Sequence, residues 1–414
     1  MNTKHKFSLL SFSLVAIALF TSACDRNPVA EAPTSPPDGS STEVFATVDP
    51  SLFVKSGLVK EITEEPCTLS GGTETTCYRI TTVTSKPSDH QAGPWCPSNI
   101  TATPEEGGIW LEDGKVYDVD GNFIANLDEF YNDDEWKLYE DDGTVKVTRS
   151  KEECAAAARP DVDEEYQNYC VQCLPEYVDE DAGMQTFVIP VTPVTKTTLS
   201  QTNRMSAVGV ALNGVSFDPP APTEAILGAH TLAPFDDCGG HINLHGGYHY
   251  HAHTGCPTEV EQPDNYASMI GYALDGFPLY ANLDKEGKEA SNLDRCRGVS
   301  DKARGYHYRV ADAGSNSFID CFKGESGCKF AGDGDGKICD ATATRDRPAP
   351  PLNGRPGNGG VGAPPDLSEA ADRLGVTTNE LMAALGKPPF DIDAAAAKLG
   401  VKVEELNQAL PQVP

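Results

Sequence analysis

Short apolar runs separated by turn residues fill the chain from Val44 to Asp340. In the first half, Asp113-Gly114, Asp120-Gly121 and Asp142-Gly143 stand between the runs "KVYDV", "NFIANL" and "TVKVT", and such pairs favour tight hairpin turns. This pattern predicts a β-meander. One helix interrupts it at "SKEECAAAARP", with Ser150 as the cap and Pro160 as the stop. Further on, "QTFVIPV", "AVGVALNGV" and "MIGYALDGFPLYANL" also read as strands. The expected fold is mainly β: a large antiparallel β domain over 44–340 with helical insertions, and a small all-α C-terminal segment. The pattern leaves sandwich and barrel both open.

The periodicity changes after Asp340. Residues 341–366 contain "RDRPAPPLNGRPGNGGVGAPP", a Pro/Gly-rich linker without the apolar content of a core. Residues 367–414 hold two 25-residue repeats, in which Leu374-Gly375-Val376 returns as Leu399-Gly400-Val401. Leu367, Ala370, Ala371, Leu381 and Leu385 match Ile392, Ala395, Ala396, Leu406 and Leu410 at helical spacing, and Thr377 with Glu380 forms a capping box. Seven acidic against four basic residues in this segment argue against a DNA-reading helix-turn-helix. A helical pair that packs or contacts a protein partner is the expectation.

The N-terminus changes the picture of location. Lys4 and Lys6 precede the apolar run Phe7–Phe20, and Thr21-Ser22-Ala23-Cys24 follows, which resembles a lipoprotein signal peptide over 1–23 with Cys24 as the lipidation site. Residues 24–43 are then a flexible Pro/Ser tether, and the expected address is the cell envelope: lipid-anchored, periplasmic or outward-facing, with inner and outer membrane undecided. Thirteen cysteines less Cys24 leave an even set, which at that address implies up to six disulfides. Cys170 and Cys173 have redox-motif spacing, but without a thioredoxin-like βαβ pattern a structural role is expected. The formal charge of −30 excludes nucleic acid as a partner and leaves the bilayer contact to Cys24 alone.

The candidate chemistry lies in "CGGHINLHGGYHYHAHTGC", residues 238–256, which holds five of the nine histidines. If "YHYHAH" is extended, Tyr248, Tyr250 and Ala252 share one face while His249, His251 and His253 share the other. His241 and His245 arrive from the preceding loop and can complete a shell around a divalent transition metal, with copper or zinc suited to an imidazole set. A polar strand face with structural histidines is the competing reading. Imidazoles of ordinary pKa imply that such an ion leaves below about pH 6.

These residues also carry a resemblance. "SDHQAGPWCP", "GVALNGVSFDP", "HINLHGGYHYH", "IGYALDGFPLY", "LDRCRG", "GYHY" and "CFKG" occur in this order, and the chain resembles the YHYH domain family of secreted or lipid-anchored bacterial proteins, whose reaction is generally unassigned. The resemblance spans most of Cys67–Cys328 and implies His90, His241, His249, His251 and His307 as metal ligands. His245 and His253 stand outside the family-like positions and rank behind them. Arg309 replaces a further histidine in the second "GYHY", and Ala281-Asn282 replaces a frequent Gly-Pro.

Two other features compete for a role. Asp275 is either a general base or histidine partner beside the metal, or simply the Asp-Gly of a tight turn. Asp333, Asp335 and Asp340 in "AGDGDGKICD" resemble part of a calcium loop whose first and last ligand positions are Ala331 and Thr342. No hydrolase elbow, phosphate loop, zincin motif or dinucleotide fingerprint occurs. Three functions remain: a metal-binding envelope protein, a metalloenzyme using the same site, or a non-catalytic surface interaction module.

Overall fold

The computed structural model describes residues 47–159, 162–179, 183–202, 207–223, 227–334, 336–342, 368–374, 376, 381, 384–385 and 392–410. The signal peptide, Cys24, the tether, Pro160, Asp335, Thr377, Glu380 and nearly all of the linker lie outside the described residues.

The described chain is mainly β. Its strands are β1 (Thr63–Thr68), β2 (Glu74–Val83), β3 (Ile109–Glu112), β4 (Lys115–Asp118), β5 (Met184–Pro190), β6 (Thr195–Gln201), β7 (Gly209–Ala211) and β8 (Ser216–Phe217). There follow β9 (Gly240–Asn243), β10 (Gly247–Tyr250), β11 (Met269–Ala273), β12 (Pro278–Tyr280), β13 (Gly298–Asp301), β14 (Gly305–Arg309), β15 (Cys321–Gly324) and β16 (Cys328–Ala331). An eight-stranded sheet runs β13-β14-β12-β11-β7-β8-β10-β9, and a four-stranded sheet runs β1-β2-β5-β16. Ile80, Phe187 and Ile189 of the smaller sheet share one buried cluster with Val210, Phe217, Tyr248 and Leu279 of the larger. Face-to-face packing of two sheets accounts for the burial of β5 from Gln185 to Pro190.

The large sheet maps onto itself. In β7–β8, Gly209 pairs with Phe217 and Val210 with Ser216; in β11–β12, Gly271 pairs with Leu279 and Tyr272 with Pro278. His249 of β10 faces His241 of β9, as His307 of β14 faces Val299 of β13. Strand β10 lies parallel to β8 and β14 parallel to β12, and every other joint is antiparallel. The halves meet in the β7–β11 pair, centred on Val210 and Tyr272. Each hairpin turns through a glycine of positive φ, Gly214 at 90° and Gly276 at 82°, a backbone state that suits a residue without Cβ.

Two of the expected strands have other structures. "NFIANL" forms parts of the helices Gly121–Ala125 and Leu127–Tyr131, because Asp120 caps rather than turns: its carboxylate accepts from Phe123 N at 2.7 Å. Ile124 and Leu127 are then buried at helical spacing. "TVKVT" makes only isolated bridges, Thr144 with Asn99, Val145 with Tyr139 and Val147 with Cys170. The helix Lys151–Ala157 starts as expected, with Ser150 Oγ accepting from Glu153 N.

All twelve cysteines after Cys24 pair: Cys67–Cys77, Cys96–Cys170, Cys154–Cys173, Cys238–Cys256, Cys296–Cys321 and Cys328–Cys339. Cys170 and Cys173 thus bind different partners. Their spacing reflects two staples, not a redox pair.

In the C-terminal segment, helices Ser368–Leu374, Ile392–Leu399 and Val403–Ala409 bring the repeat-matched Ala370, Ala371, Leu381, Ala395, Ala396 and Leu406 into one core of their own. The hydrogen bond from Arg295 Nη2 to Val376 O, 2.6 Å, reaches back to the β domain. We propose that this segment is a separate domain. Ending the chain after Arg347 should then lower the Tm of the β domain by no more than a few degrees in a calorimetric scan, because the segment buries its apolar residues in a core of its own. A drop beyond about 10 °C would show that the helices are an integral part of the β core.

Candidate metal centre

The antiparallel pairing of β9 with β10 sets His241 directly opposite His249, and His251 follows where the chain leaves β10. Their rings form a near-equilateral group, with centroids 4.8 Å apart for His241–His249 and 4.9 Å for both His241–His251 and His249–His251. One ligand atom from each lies within 4.8 Å of the others, so the three can hold a metal ion. The Phe235 ring covers one side, 4.9 Å from His241 and 5.4 Å from His251. His249 and His251 are buried, whereas His241 is partly exposed.

Hydrogen bonding selects the ligand nitrogen. His249 Nδ1 lies 3.0 Å from Gly247 O and His251 Nδ1 lies 2.7 Å from Pro219 O. A carbonyl only accepts, so each Nδ1 carries the proton and each Nε2 keeps its lone pair for an ion. Burial, together with the neighbouring imidazoles, lowers His241 well below its ordinary value and brings His251 to about 3. Burial likewise lowers His249, against the opposing pull of Asp218. The three are therefore neutral at pH 7, the state that ligates. Release of an ion by simple protonation moves below the pH 6 expected of exposed imidazoles, because burial opposes the imidazolium.

Asp218 supplies the negative charge beside the triad. Burial alone would raise its carboxyl, but the Lys329 ammonium at 3.2 Å, then His249 and a hydrogen bond from Ser216 Oγ at 2.5 Å, hold it below the usual carboxylate range. Sequence reasoning missed Asp218. Its signal was the register, since Ser216 pairs with His249 across β8 and β10.

The other candidate ligands lie elsewhere. Tyr248 and Tyr250 take the opposite face of β10, as the alternation predicted, and His90 packs against them, with ring centroids 6.1 Å from each. His90 Nδ1 contacts Asp89 at 2.8 Å and its Nε2 lies 3.4 Å from Tyr250 Oη, so the structure places His90 apart from the triad. His245 is exposed in the β9–β10 turn, and His253 Nε2 is paired with Glu259 at 2.9 Å. His307 lies in β14, in the other half of the sheet, its Nε2 2.6 Å from Tyr266 Oη. Of the seven histidines expected near the ion, the fold gathers His241, His249 and His251.

Asp275 sits in the β11–β12 turn, fully buried and away from the triad. Its carboxylate accepts from Tyr308 Oη at 2.5 Å, Gly324 N at 2.9 Å and Phe277 N at 3.3 Å. Its environment fits the turn reading. Asp333 stands just after β16, and Asp340 Oδ1 accepts from Thr342 N at 3.0 Å. Arg79 donates to Gly334 O at 3.3 Å and to Lys337 O at 2.5 Å, so a guanidinium binds the carbonyls of this loop. A further cluster, unsignalled in the sequence, joins Asp133, Glu135 and His230, with His230 Nε2 2.9 Å from Asp133 Oδ2.

Asp275 gives a pH test. Burial, against the Tyr308 hydrogen bond, raises its carboxyl to about 6, so the fold favours its protonated form and that advantage fades as pH rises from about 4 through 6. Asparagine removes the charge, and its amide oxygen keeps an acceptor for Tyr308 Oη and Gly324 N while Phe277 N gives up its longer contact. Relative to the parent, Asp275→Asn should gain stability as pH rises from about 4 through 6, by at most about 3 kcal/mol at 1.36 kcal/mol per pH unit. A difference that stays constant across that range in urea unfolding would mean the carboxyl titrates normally.

Comparison with known proteins fits this geometry. Residues 186–343 match the model of the YHYH protein family, a span that starts in β5 and takes in every strand of the eight-stranded sheet. The "SDHQAGPWCP" piece around His90 precedes the matched span. No curated protein and no solved structure matches the chain. Residues 186–343, which carry the histidine triad, are thus a domain of the YHYH family.

Proposed function

We propose that this chain is an extracytoplasmic, lipid-anchored protein that binds one divalent transition metal, copper or zinc, through His241, His249 and His251. The observation that carries the reading is the pinning of two ring Nδ1 atoms on Gly247 O and Pro219 O, which leaves Nε2 of each for the ion. Three imidazoles, two of them buried, lie in mutual ring contact, and burial keeps them in the neutral form whose lone pairs a cation can take. Six disulfides suit an oxidising compartment, and among the described residues no helix is long and apolar enough to cross a membrane. Lipid on Cys24 supplies the bilayer contact, and the C-terminal helices offer a surface for a protein partner.

Metal holding is favoured over turnover because the Phe235 ring covers one side of the triad. The metalloenzyme reading draws on the ligand count alone: three protein ligands leave a tetrahedral ion one position for water. The deciding experiment is elemental analysis of full-length protein purified without a histidine tag, followed by titration with zinc(II) and copper(II). One tightly bound ion per chain is expected. A chain that binds neither after dialysis at pH 7.5 would overturn the reading.

A further inference from the structure

The second half of the large sheet repeats the metal-binding half residue by residue. Asp236 Oδ1 accepts from Cys238 N at 3.1 Å and Gly240 N at 3.0 Å; Asp294 Oδ1 accepts from Cys296 N at 2.9 Å and Gly298 N at 2.8 Å. Tyr248 Oη donates to the Asp236 carboxylate, and Tyr306 Oη to that of Asp294, both at 2.9 Å. The Tyr250 hydroxyl meets Asn213 in one hairpin turn, as Tyr308 meets Asp275 in the other. His249 Nδ1 rests on Gly247 O, and His307 Nδ1 on Gly305 O at 2.9 Å.

The halves diverge where the ion would sit. Val299 occupies the place of His241, Arg309 that of His251, and Tyr280 that of Asp218. Pro219 and Ala281 stand at equivalent places beyond β8 and β12; Pro219 O takes His251 Nδ1, and Ala281 O accepts from Arg309 Nε at 2.8 Å. The retained imidazole, His307, meets the Tyr266 hydroxyl at 2.6 Å with the nitrogen that in His249 is left for metal. Arg309 is buried, and its guanidinium lies 4.6 Å from the Tyr266 ring centre.

We propose that the second half is a closed copy of the metal centre, in which Arg309 supplies the positive charge and Tyr266 blocks His307. Val299, Arg309 and Tyr266 then decide that the chain takes one ion and not two. This rests on the triad holding metal in the first half.

The test is zinc stoichiometry on the full chain, by equilibrium dialysis and elemental analysis. The parent should bind one zinc. Val299→His/Arg309→His/Tyr266→Phe should bind two, the second more weakly because Tyr280 replaces the Asp218 carboxylate. The same three changes added to His249→Ala/His251→Ala should bind one. A parent that binds two, or a folded triple variant that still binds one, overturns the proposal; a parent that binds none overturns the metal reading itself. The reverse variant His241→Val/His251→Arg covers failure of the triple variant to fold. It should lose its zinc yet keep a Tm close to that of the zinc-free parent, and either retained zinc or an unfolded chain overturns the closed-copy account.

Discussion

Alanine at His249 or at His251 should abolish stoichiometric metal binding and weaken the residual affinity by more than about a hundred-fold. Losing an outer-shell partner alone typically costs 10–100-fold, and here a ligand itself is removed. Each ring is buried and set by its own backbone carbonyl, so no neighbour swings in to replace it. Tyr248→Phe should keep the ion, because its hydroxyl serves Asp236 on the far face of the strand. His90→Ala, His245→Ala, His253→Ala and His307→Ala should keep it as well. Calorimetric titration with zinc(II), with circular dichroism as the check on folding, measures the whole series. One ion surviving in the His249→Ala/His251→Ala double variant would make the cluster a structural strand.

The second large effect concerns stability. Cys96→Ala/Cys170→Ala should cost about 4 kcal/mol, against about 3 kcal/mol for Cys67→Ala/Cys77→Ala, because loop-closure entropy grows with the logarithm of loop length. The bridged residues are 74 apart in the first case and 10 in the second. A loss of that size is a large part of the roughly 5–15 kcal/mol that holds a typical domain. It also reaches the metal centre. Cys170 forms a β-bridge with Leu232, and both share a buried cluster with Phe235, the ring that covers His241 and His251. The first variant should therefore weaken zinc binding while the second leaves it unchanged. Equal losses of stability in urea unfolding would remove the loop-length account.

Much of this was legible before any coordinates. The strands β5, β7, β11 and β12 follow from their apolar runs, with Asp275-Gly276 as a turn, whereas the hairpin at Asn213-Gly214 divides a run that reads as one strand. Alternation separated Tyr248 and Tyr250 from His249 and His251. Asp120 misled because an Asp before an apolar stretch opens a hairpin and caps a helix equally well, and only the spacing of Ile124 and Leu127 favours the helix. His241 was legible as a neighbour, but its place opposite His249 is a matter of register. His90 and His307 were not separable from the ligands, because nothing local states which face of the sheet, or which half, a distant histidine joins. The doubling is faint in the sequence because the halves agree chiefly in glycines, turn residues and the Tyr-His-Tyr core, while the ligand positions differ.

That doubling bears on how the chain reaches its fold. Each half of the large sheet draws on one continuous stretch, Gly209–Tyr250 or Met269–Arg309, so its paired strands are nearer in sequence than those of the small sheet that join β5. The small sheet instead joins β2 to β5 and β5 to β16, partners separated by a hundred residues or more. Contacts between near neighbours form fast and distant ones wait on loop closure. The two halves should act as separate nuclei that zip together along β7 and β11, with the small sheet laid over them afterwards. In pulse-labelled hydrogen exchange, the amides of β7–β14 should gain protection before those of β5 and β16.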